Sequence, residues 1–112
     1  MSLVLAVESG AELKVWRTER VAALPWPDGT FTSAVSFESM REWAQNAQSV
    51  REVARVLRAG ARLVGRFRSR EDFDGWFALA SQTLLKNGFR RLASWREGEL
   101  VNVALERRPR CS

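Results

Sequence analysis

Short apolar runs, separated by turn residues, alternate along this chain with two longer segments of helical periodicity. The runs predict strands over Ser2–Val7, Glu12–Trp16, Thr30–Phe37, Arg62–Arg68, Phe89–Trp95 and Leu100–Glu106. Apolar residues spaced three and four apart predict helices over Ser49–Arg58 and Ser69–Asn87. This order of strands and helices is typical of an α/β protein.

The ends of the two helices are marked by capping signals. The apolar stripe of the first consists of Val50, Val53, Ala54 and Leu57, and that of the second of Phe73, Trp76, Phe77, Ala80 and Leu84. Ser49-x-x-Glu52 is a capping-box pattern, although the first helix can equally begin at Asn46. Gly60 favours a left-handed cap at its end, and Ser69 is the expected N-cap of the second helix.

Two turns predict hairpins at the ends of the chain. The segment Glu8-Ser9-Gly10-Ala11 separates the first two strands, and Glu97-Gly98 separates the last two. Both hairpins are therefore expected to be antiparallel.

The amino-acid composition excludes several kinds of catalytic and metal-binding site. At 112 residues the chain is expected to form one domain, residues 1–112, and it contains no His and a single Cys, Cys111. These counts exclude imidazole catalysis and zinc sites built from His or Cys clusters, so no catalytic or metal-binding residue is assigned. With no disulfide, no secretory signal and no apolar run of membrane-spanning length, a cytoplasmic protein without a membrane partner is expected.

The net charge of +5 is carried mostly by arginine. Seven arginines lie between Arg51 and Arg70, where only one glutamate accompanies them. An arginine-rich face can bind nucleic acid through its phosphates, but solvated arginines on helix and strand surfaces explain the pattern more simply.

A long central stretch resembles one protein family. Residues 24–64 read LPWPDGTFTSAVSFESMREWAQNAQSVREVARVLRAGARLV. This resembles, without a gap, the pattern LPFPDxSFDxVxSxxxLHHxxDxxxxLREIARVLKPGGRLV of class I S-adenosylmethionine-dependent methyltransferases of the type-11 group. The likeness is strongest in LPWPD, which begins at Leu24, and in REVARVLR, which begins at Arg51.

The resemblance implies a fold. It covers roughly Leu13–Arg107, the C-terminal half of the family's domain, and so implies a truncated or degenerate member. The expected architecture is a partial Rossmann-like methyltransferase sheet with two main helices and a C-terminal antiparallel β-hairpin. The domain is expected to lack the N-terminal glycine-rich unit that binds the cofactor.

The resemblance also implies positions for a cofactor site. Arg20 and Val21 match residues near the adenine, and Ser36, Phe37 and Glu38 match residues near the methyl group. Arg20 stands where the family has an aspartate, and a guanidinium cannot accept the hydrogen bond that an adenine amino group donates. The usual Leu-His-His is replaced by Met40-Arg41-Glu42.

Two further side-chain assignments concern the segment that follows Phe37. Glu38 and Glu42 can form a carboxylate pair if a helix spans both, although a solvated helix face is the simpler interpretation. Trp43 is expected to be a packing anchor rather than a stacking platform.

The first strand admits a second interpretation. Val4–Glu12 can be a relic of the family's opening strand and glycine-rich loop, with glutamates at positions 8 and 12 where glycines are required. The seven glycines of the chain include no Gly-x-Gly pair. The hairpin remains the favoured interpretation.

Three functions follow from these patterns. The favoured one is a methyltransferase-like protein that is non-catalytic as an isolated chain, uses no cofactor, and acts as an interaction or regulatory module. The alternative is an active methyltransferase whose S-adenosylmethionine site is completed by dimerisation or by a partner. Nucleic-acid binding through the arginine-rich face is a weaker alternative. A truncated parallel sheet leaves an open edge, so a homodimer paired edge to edge, or docking on another protein, is expected.

Overall fold

The protein is a mixed α/β structure built on one six-stranded sheet. The computed structural model describes residues 2–9, 12–18, 21, 23–38, 40–68 and 73–109. Its elements in chain order are β1 (Ser2–Ser9), β2 (Glu12–Thr18), β3 (Phe31–Phe37), α1 (Met40–Trp43), α2 (Ala47–Val56), β4 (Leu57–Arg68), α3 (Phe73–Lys86), β5 (Phe89–Glu97) and β6 (Leu100–Arg107).

The strands lie side by side in the order β2-β1-β3-β4-β6-β5. Only β3 and β4 are parallel; the other four neighbouring pairs run antiparallel. The predicted fold class is confirmed, including the C-terminal antiparallel hairpin of β5 and β6. Gly98, at φ 62°, occupies the turn of that hairpin, a left-handed conformation that glycine adopts without strain.

The N-terminal strands form the predicted hairpin, in which Ser9 pairs with Glu12. β1 then pairs antiparallel with β3, so that Ala6 lies opposite Ser33. The turn, whose Gly10 and Ala11 lie outside the described residues, is therefore at the amino end of β3. The cofactor-loop interpretation of Val4–Glu12 is wrong, because such a loop must follow a strand parallel to β3. β1 also covers one edge of β3, and β2 is the edge strand on this side of the sheet.

The boundary between α2 and β4 differs from the prediction. Asn46 is the N-cap, with its side-chain oxygen accepting the N–H of Ser49 at 3.2 Å, so the second of the two predicted starts is correct. The helix ends at Val56 because Leu57 pairs with Phe31 and buries its side chain in the sheet. Gly60, at φ 83°, therefore lies within β4 and does not cap the helix.

The second predicted helix is confirmed with a shorter range. It runs over Phe73–Lys86, and the proposed N-cap, Ser69, lies outside the described residues. Trp76, Ala80 and Leu84 are buried as their spacing predicted. None of the helices in the described ranges is long and apolar enough to cross a membrane.

One face of the sheet carries the core. Alternate residues of the strands, such as Leu5, Ala34 and Leu63, are buried under the helices. On the same face the rings of Phe67 in β4 and Trp76 in α3 meet edge to face at a centroid distance of 5.0 Å. The intervening residues point to the opposite face, which the described helices leave uncovered.

Arg55 joins α2 to the loop that precedes β3. Its Nε donates to Glu52 Oε2 at 2.7 Å, and its Nη1 donates to the Trp26 carbonyl at 2.7 Å and to Asp28 Oδ1 at 3.0 Å. Its Nη2 donates to the Leu24 carbonyl at 2.8 Å, while Glu52 Oε1 accepts the Leu24 N–H at 2.9 Å. We call this network of five residues the Arg55 clamp. It holds the loop that leads the chain into β3.

The clamp should make stability depend on pH. The Arg55 guanidinium, followed by the Leu24 N–H, lowers the pKa of Glu52 below its ordinary value of 4.5. The stabilising contribution is therefore fully present above pH 4.5 and is lost as the pH falls through the lowered folded-state pKa. We expect Glu52→Gln to lower the free energy of unfolding by about 1–2 kcal/mol at pH 7 and by less at pH 3.

Urea unfolding of wild type and variant between pH 3 and pH 7 measures this difference. Glu99→Gln, at an exposed turn position, is the matched control and should show no such trend. An equal loss of stability at every pH would contradict the assignment.

Candidate functional site

A cleft of about 880 Å³ opens at the carboxyl ends of the two parallel strands, β3 and β4. In α/β sheets this is where ligands usually bind, because the chain leaves neighbouring strands in different directions there. The lining residues are Glu38, Arg41, Glu42, Gln45, Phe67, Arg68 and Trp76.

Glu38 lines the cleft and has an unusual backbone conformation. Its φ is 60°, the left-handed region that side chains other than glycine rarely adopt. Its N–H donates to the Arg66 carbonyl at 2.9 Å, and its Oε1 accepts the Arg68 N–H at 3.1 Å. Two hydrogen bonds thus fix the residue between the ends of β3 and β4, and backbone strain of this kind is concentrated at functional sites.

The lining of the cleft contains charged side chains of both signs and two aromatic side chains, Phe67 and Trp76. The lining includes two carboxylates, Glu38 and Glu42, and two guanidinium groups, Arg41 and Arg68. The amide of Gln45 donates to the Arg41 carbonyl at 2.6 Å. The lining residues include no thiol, imidazole or hydroxyl group, and the described residues contain no cluster of His, Cys, Asp or Glu that could hold a metal ion. The cleft can bind a polar ligand, and its lining offers the carboxylates of Glu38 and Glu42 but no thiol, imidazole or hydroxyl group.

Of the five residues matched to the family's cofactor site, the structure describes four, and among these only Glu38 lines the cleft. Glu38 lines the cleft, whereas Ser36 is buried and its Oγ accepts the indole N–H of Trp43 at 3.0 Å. Phe37 points to the uncovered face of the sheet, Val21 is half-buried against the core, and Arg20 lies outside the described residues. Their role in cofactor binding stays a prediction.

The sequence analysis also made assignments for Trp43 and for the pair Glu38 and Glu42, and the structure bears out only the first. Trp43 is a packing anchor, since it is buried and bound to Ser36. The helical spacing proposed for Glu38 and Glu42 is wrong, because α1 begins only at Met40 and Glu38 precedes it in a left-handed conformation. Both glutamates nevertheless line the cleft.

Sequence reasoning missed the contributions of Gln45, Arg68 and Trp76 to the cleft. Arg68 was identifiable in principle, because it is the last residue of the strand parallel to β3. Trp76 was assigned only to the helical core stripe, since a periodic pattern does not show which end of a helix borders an opening.

The predicted arginine-rich face is divided among several surfaces. Arg55 is engaged in the clamp, and Arg51 donates to Asn87 Oδ1 at 3.4 Å. Arg66 lies on the uncovered face, where it pairs with Glu97 at 2.9 Å. Arg70 lies outside the described residues.

The glycines do not form a cradle for S-adenosylmethionine at this end of the sheet. Such a cradle needs glycines where the backbone closely approaches the cofactor. Gly65 lies in β4 near the cleft, but the space above it is filled by the thioether of Met40. The neighbouring position beside β3 is held by the start of β1, where Ser2 pairs with Phe37. The described residues therefore do not fit the cofactor in the manner of the family.

A family comparison identifies the scaffold. The sequence profile of a methyltransferase-domain family matches residues 4–65, more than half of the chain. The chain belongs to this methyltransferase-domain family. The matched range contains the hairpin, β3, α2 and the first part of β4.

Solved structures show the same fold. The antibiotic-resistance methyltransferase Kmr matches with a TM-score of 0.65 and 15% identity, covering 83% of this chain and 58% of Kmr. The [4+2]-cyclase SpnF matches with a TM-score of 0.62 and 14% identity, covering 80% of this chain and 55% of SpnF. A SAM-dependent methyltransferase from Aquifex aeolicus matches at 0.61 and 16% identity, covering 78% of this chain and 51% of the other.

This methyltransferase-domain chain thus spans between half and three fifths of the length of these three proteins. No curated protein sequence matches the chain. At these identities the structural matches establish the fold and leave the activity open.

Packing at Gly65 is directly testable. A Cβ at this position would overlap Met40 Sδ, so we expect Gly65→Ala to lower the free energy of unfolding by about 1–3 kcal/mol. The double variant Gly65→Ala/Met40→Ala should lose less than the sum of the two single changes. Gly75→Ala is the control, because that helical position faces open space and alanine favours helices. Urea denaturation measures all four, and a Gly65→Ala protein as stable as wild type would contradict the packing.

Proposed function

We propose that this methyltransferase-like domain is non-catalytic as an isolated chain and acts as an interaction or regulatory module. The observation that carries the proposal is the direction of β1. Because β1 runs antiparallel to β3, the place beside the cleft is taken by the start of a hairpin strand and not by a cofactor loop. The glycine positions support the same proposal, because the space above Gly65 is filled by the Met40 side chain.

The residues retained from the family pattern support the same proposal. The two most similar segments, LPWPD and REVARVLR, contain all five residues of the Arg55 clamp, which joins them. The likeness is thus strongest where residues hold the scaffold together. It is weaker at Arg20 and at Met40-Arg41-Glu42, where the family would contact cofactor and substrate.

The alternative is a methyltransferase whose cofactor site is completed by a second chain. The strained Glu38, held in a cleft of about 880 Å³, favours this alternative. A partner would then have to supply the glycine-rich loop and the hydrogen-bond acceptor for the adenine. The fold does not decide between the two functions, since Kmr is described as a methyltransferase and SpnF as a cyclase.

Titration calorimetry with S-adenosylmethionine and S-adenosylhomocysteine tests the proposal. We expect no saturable heat from the isolated chain up to about 1 mM of either ligand. A complete methyltransferase of the same family, titrated in the same buffer, serves as the positive control.

Micromolar binding would overturn the proposal if it depended on the cleft. Glu38→Gln, at the centre of the cleft, would then weaken binding, and Glu99→Gln, at a distant turn, would not. That result would establish the alternative function.

A further inference from the structure

We infer that the uncovered face of the sheet is an interface on which a second copy of this chain docks face to face. The inference rests on the proposed interaction role and names its partner. It differs from edge-to-edge pairing, because the surface involved is the face of the sheet and includes its central strands.

The open face is the sheet surface turned away from the helices. It is lined by Leu13, Val15 and Arg17 of β2, Val4 and Ala6 of β1, Val35 and Phe37 of β3, Arg62, Val64 and Arg66 of β4, Asn102, Ala104 and Glu106 of β6, and Arg90, Trp95 and Glu97 of β5. Large apolar side chains on it are exposed: Leu13 by 65%, Val15 by 54%, and Phe37 and Trp95 by 42% each. Leu13 and Val15 lie in the edge strand β2, Phe37 at the end of β3 and Trp95 in β5, so only a partner that covers the width of the face would bury them all.

The parallel pair at the centre of the sheet favours a cover on this side, although antiparallel pairs such as the other four can face water. Sheets with parallel strands at their centre are normally buried on both faces. Here the described helices pack on one face, where Phe67 contacts Trp76 and Gly65 contacts Met40. The side chains of β3 and β4 that alternate with these, including Val35 and Val64, are only half-buried.

The size of the open face suits a dimer. Six strands spaced about 4.8 Å apart, each with about seven residues rising about 3.3 Å, present roughly 650 Å². A standard protein interface buries about 800 Å² per partner. A second sheet of the same dimensions stacks on this face without leaving a large apolar area exposed.

The charges on the open face favour a second copy over a polyanion. Arg66 pairs with Glu97 and Arg90 pairs with Glu106, each at 2.9 Å. Cations that already have carboxylate partners contribute little to phosphate binding. Arg17 and Arg62 lie on the same face and pair with neither of these glutamates, so a second copy that docks there must bring its Glu97 and Glu106 toward them.

Unsatisfied donors lie near the middle of the same face. Arg66 and Asn102 are neighbours across β4 and β6, and neither Arg66 Nε nor Asn102 Nδ2 has a hydrogen-bond partner among the described residues. Asn102 is 4% exposed, so its amide is almost completely removed from solvent. Because both atoms are buried within the chain itself, an acceptor from a docked partner would meet them only if the side chains that cover them moved.

Sedimentation equilibrium of the full chain between about 5 and 200 µM tests the inference. We expect a dimer that Phe37→Glu weakens by at least tenfold, because it buries a charge in the interface. Leu85→Glu is the matched control: Leu85 is 47% exposed, close to Phe37, but it lies on α3. The control variant should dimerise as wild type does.

A second matched pair guards against a variant that fails to fold. Leu13→Glu on the open face should weaken the dimer, and Leu79→Glu on α3, where the leucine is 59% exposed, should not. Circular dichroism checks that all four variants are folded. A monomer at every concentration, or a dimer weakened equally by face and helix variants, would overturn the inference.

Two further outcomes distinguish a dimer interface from a nucleic-acid surface and from a cofactor site. Saturable binding of an oligouridylate to a monomer, abolished by Phe37→Glu, would overturn the inference in favour of a nucleic-acid surface.

Adding S-adenosylhomocysteine to the same samples separates the test of the dimer from the test of the proposed function. A monomer that binds no cofactor overturns only the dimer, whereas a dimer that binds cofactor overturns only the non-catalytic role.

Discussion

The Arg55 clamp is the interaction on which the arrangement of this domain depends. One guanidinium binds two loop carbonyls and two carboxylates, and so fixes α2 against the segment that enters β3. Because β3 and β4 are the two parallel strands, with α2 between them in the chain, the clamp sets their relation. The cleft at their carboxyl ends and the position of Glu38 follow from that relation. The family likeness is therefore strongest in the residues that build the scaffold.

The N-terminal hairpin changes what the scaffold can do. Its first strand pairs with β3 in the antiparallel direction, covers the edge of β3, and sends its turn to the end opposite the cleft. The sheet therefore has a cleft at the ends of the parallel strands β3 and β4, as ligand-binding α/β sheets do, but the strand beside β3 does not lead into a glycine-rich loop at that cleft. The described helices also leave one face of the sheet uncovered. The proposed non-catalytic role and the proposed docking surface thus both rest on the arrangement of this sheet.

Local patterns predicted much of this structure. The six strands, the core stripes of α2 and α3 and the two hairpins follow from periodicity and turn residues, which act over a few positions. The direction of β1 relative to β3 was not predictable in this way, because it depends on contacts between distant parts of the chain. The left-handed backbone conformation of Glu38 was not predictable for a similar reason. No glycine marks the position, and the conformation is held by two hydrogen bonds to Arg66 and Arg68 of β4. Alternation along the predicted strand already places Ser36 and Phe37 on opposite faces, but which of the two faces the helices depended on packing with distant parts of the chain.

Nuclear magnetic resonance spectroscopy of the isotope-labelled chain, with and without S-adenosylhomocysteine, tests the central claim most directly. The claim is that an antiparallel hairpin strand, and not a cofactor-binding loop, lies beside β3 at the cleft. It predicts nuclear Overhauser contacts that place Leu3 opposite Ser36 and Ala6 opposite Ser33, the antiparallel register of β1 and β3. It also predicts that the amide resonances of Glu38 and Arg68 do not move when the ligand is added. Contacts of a parallel β1–β3 pair, or saturable shifts centred on Glu38 and Arg68, would contradict it.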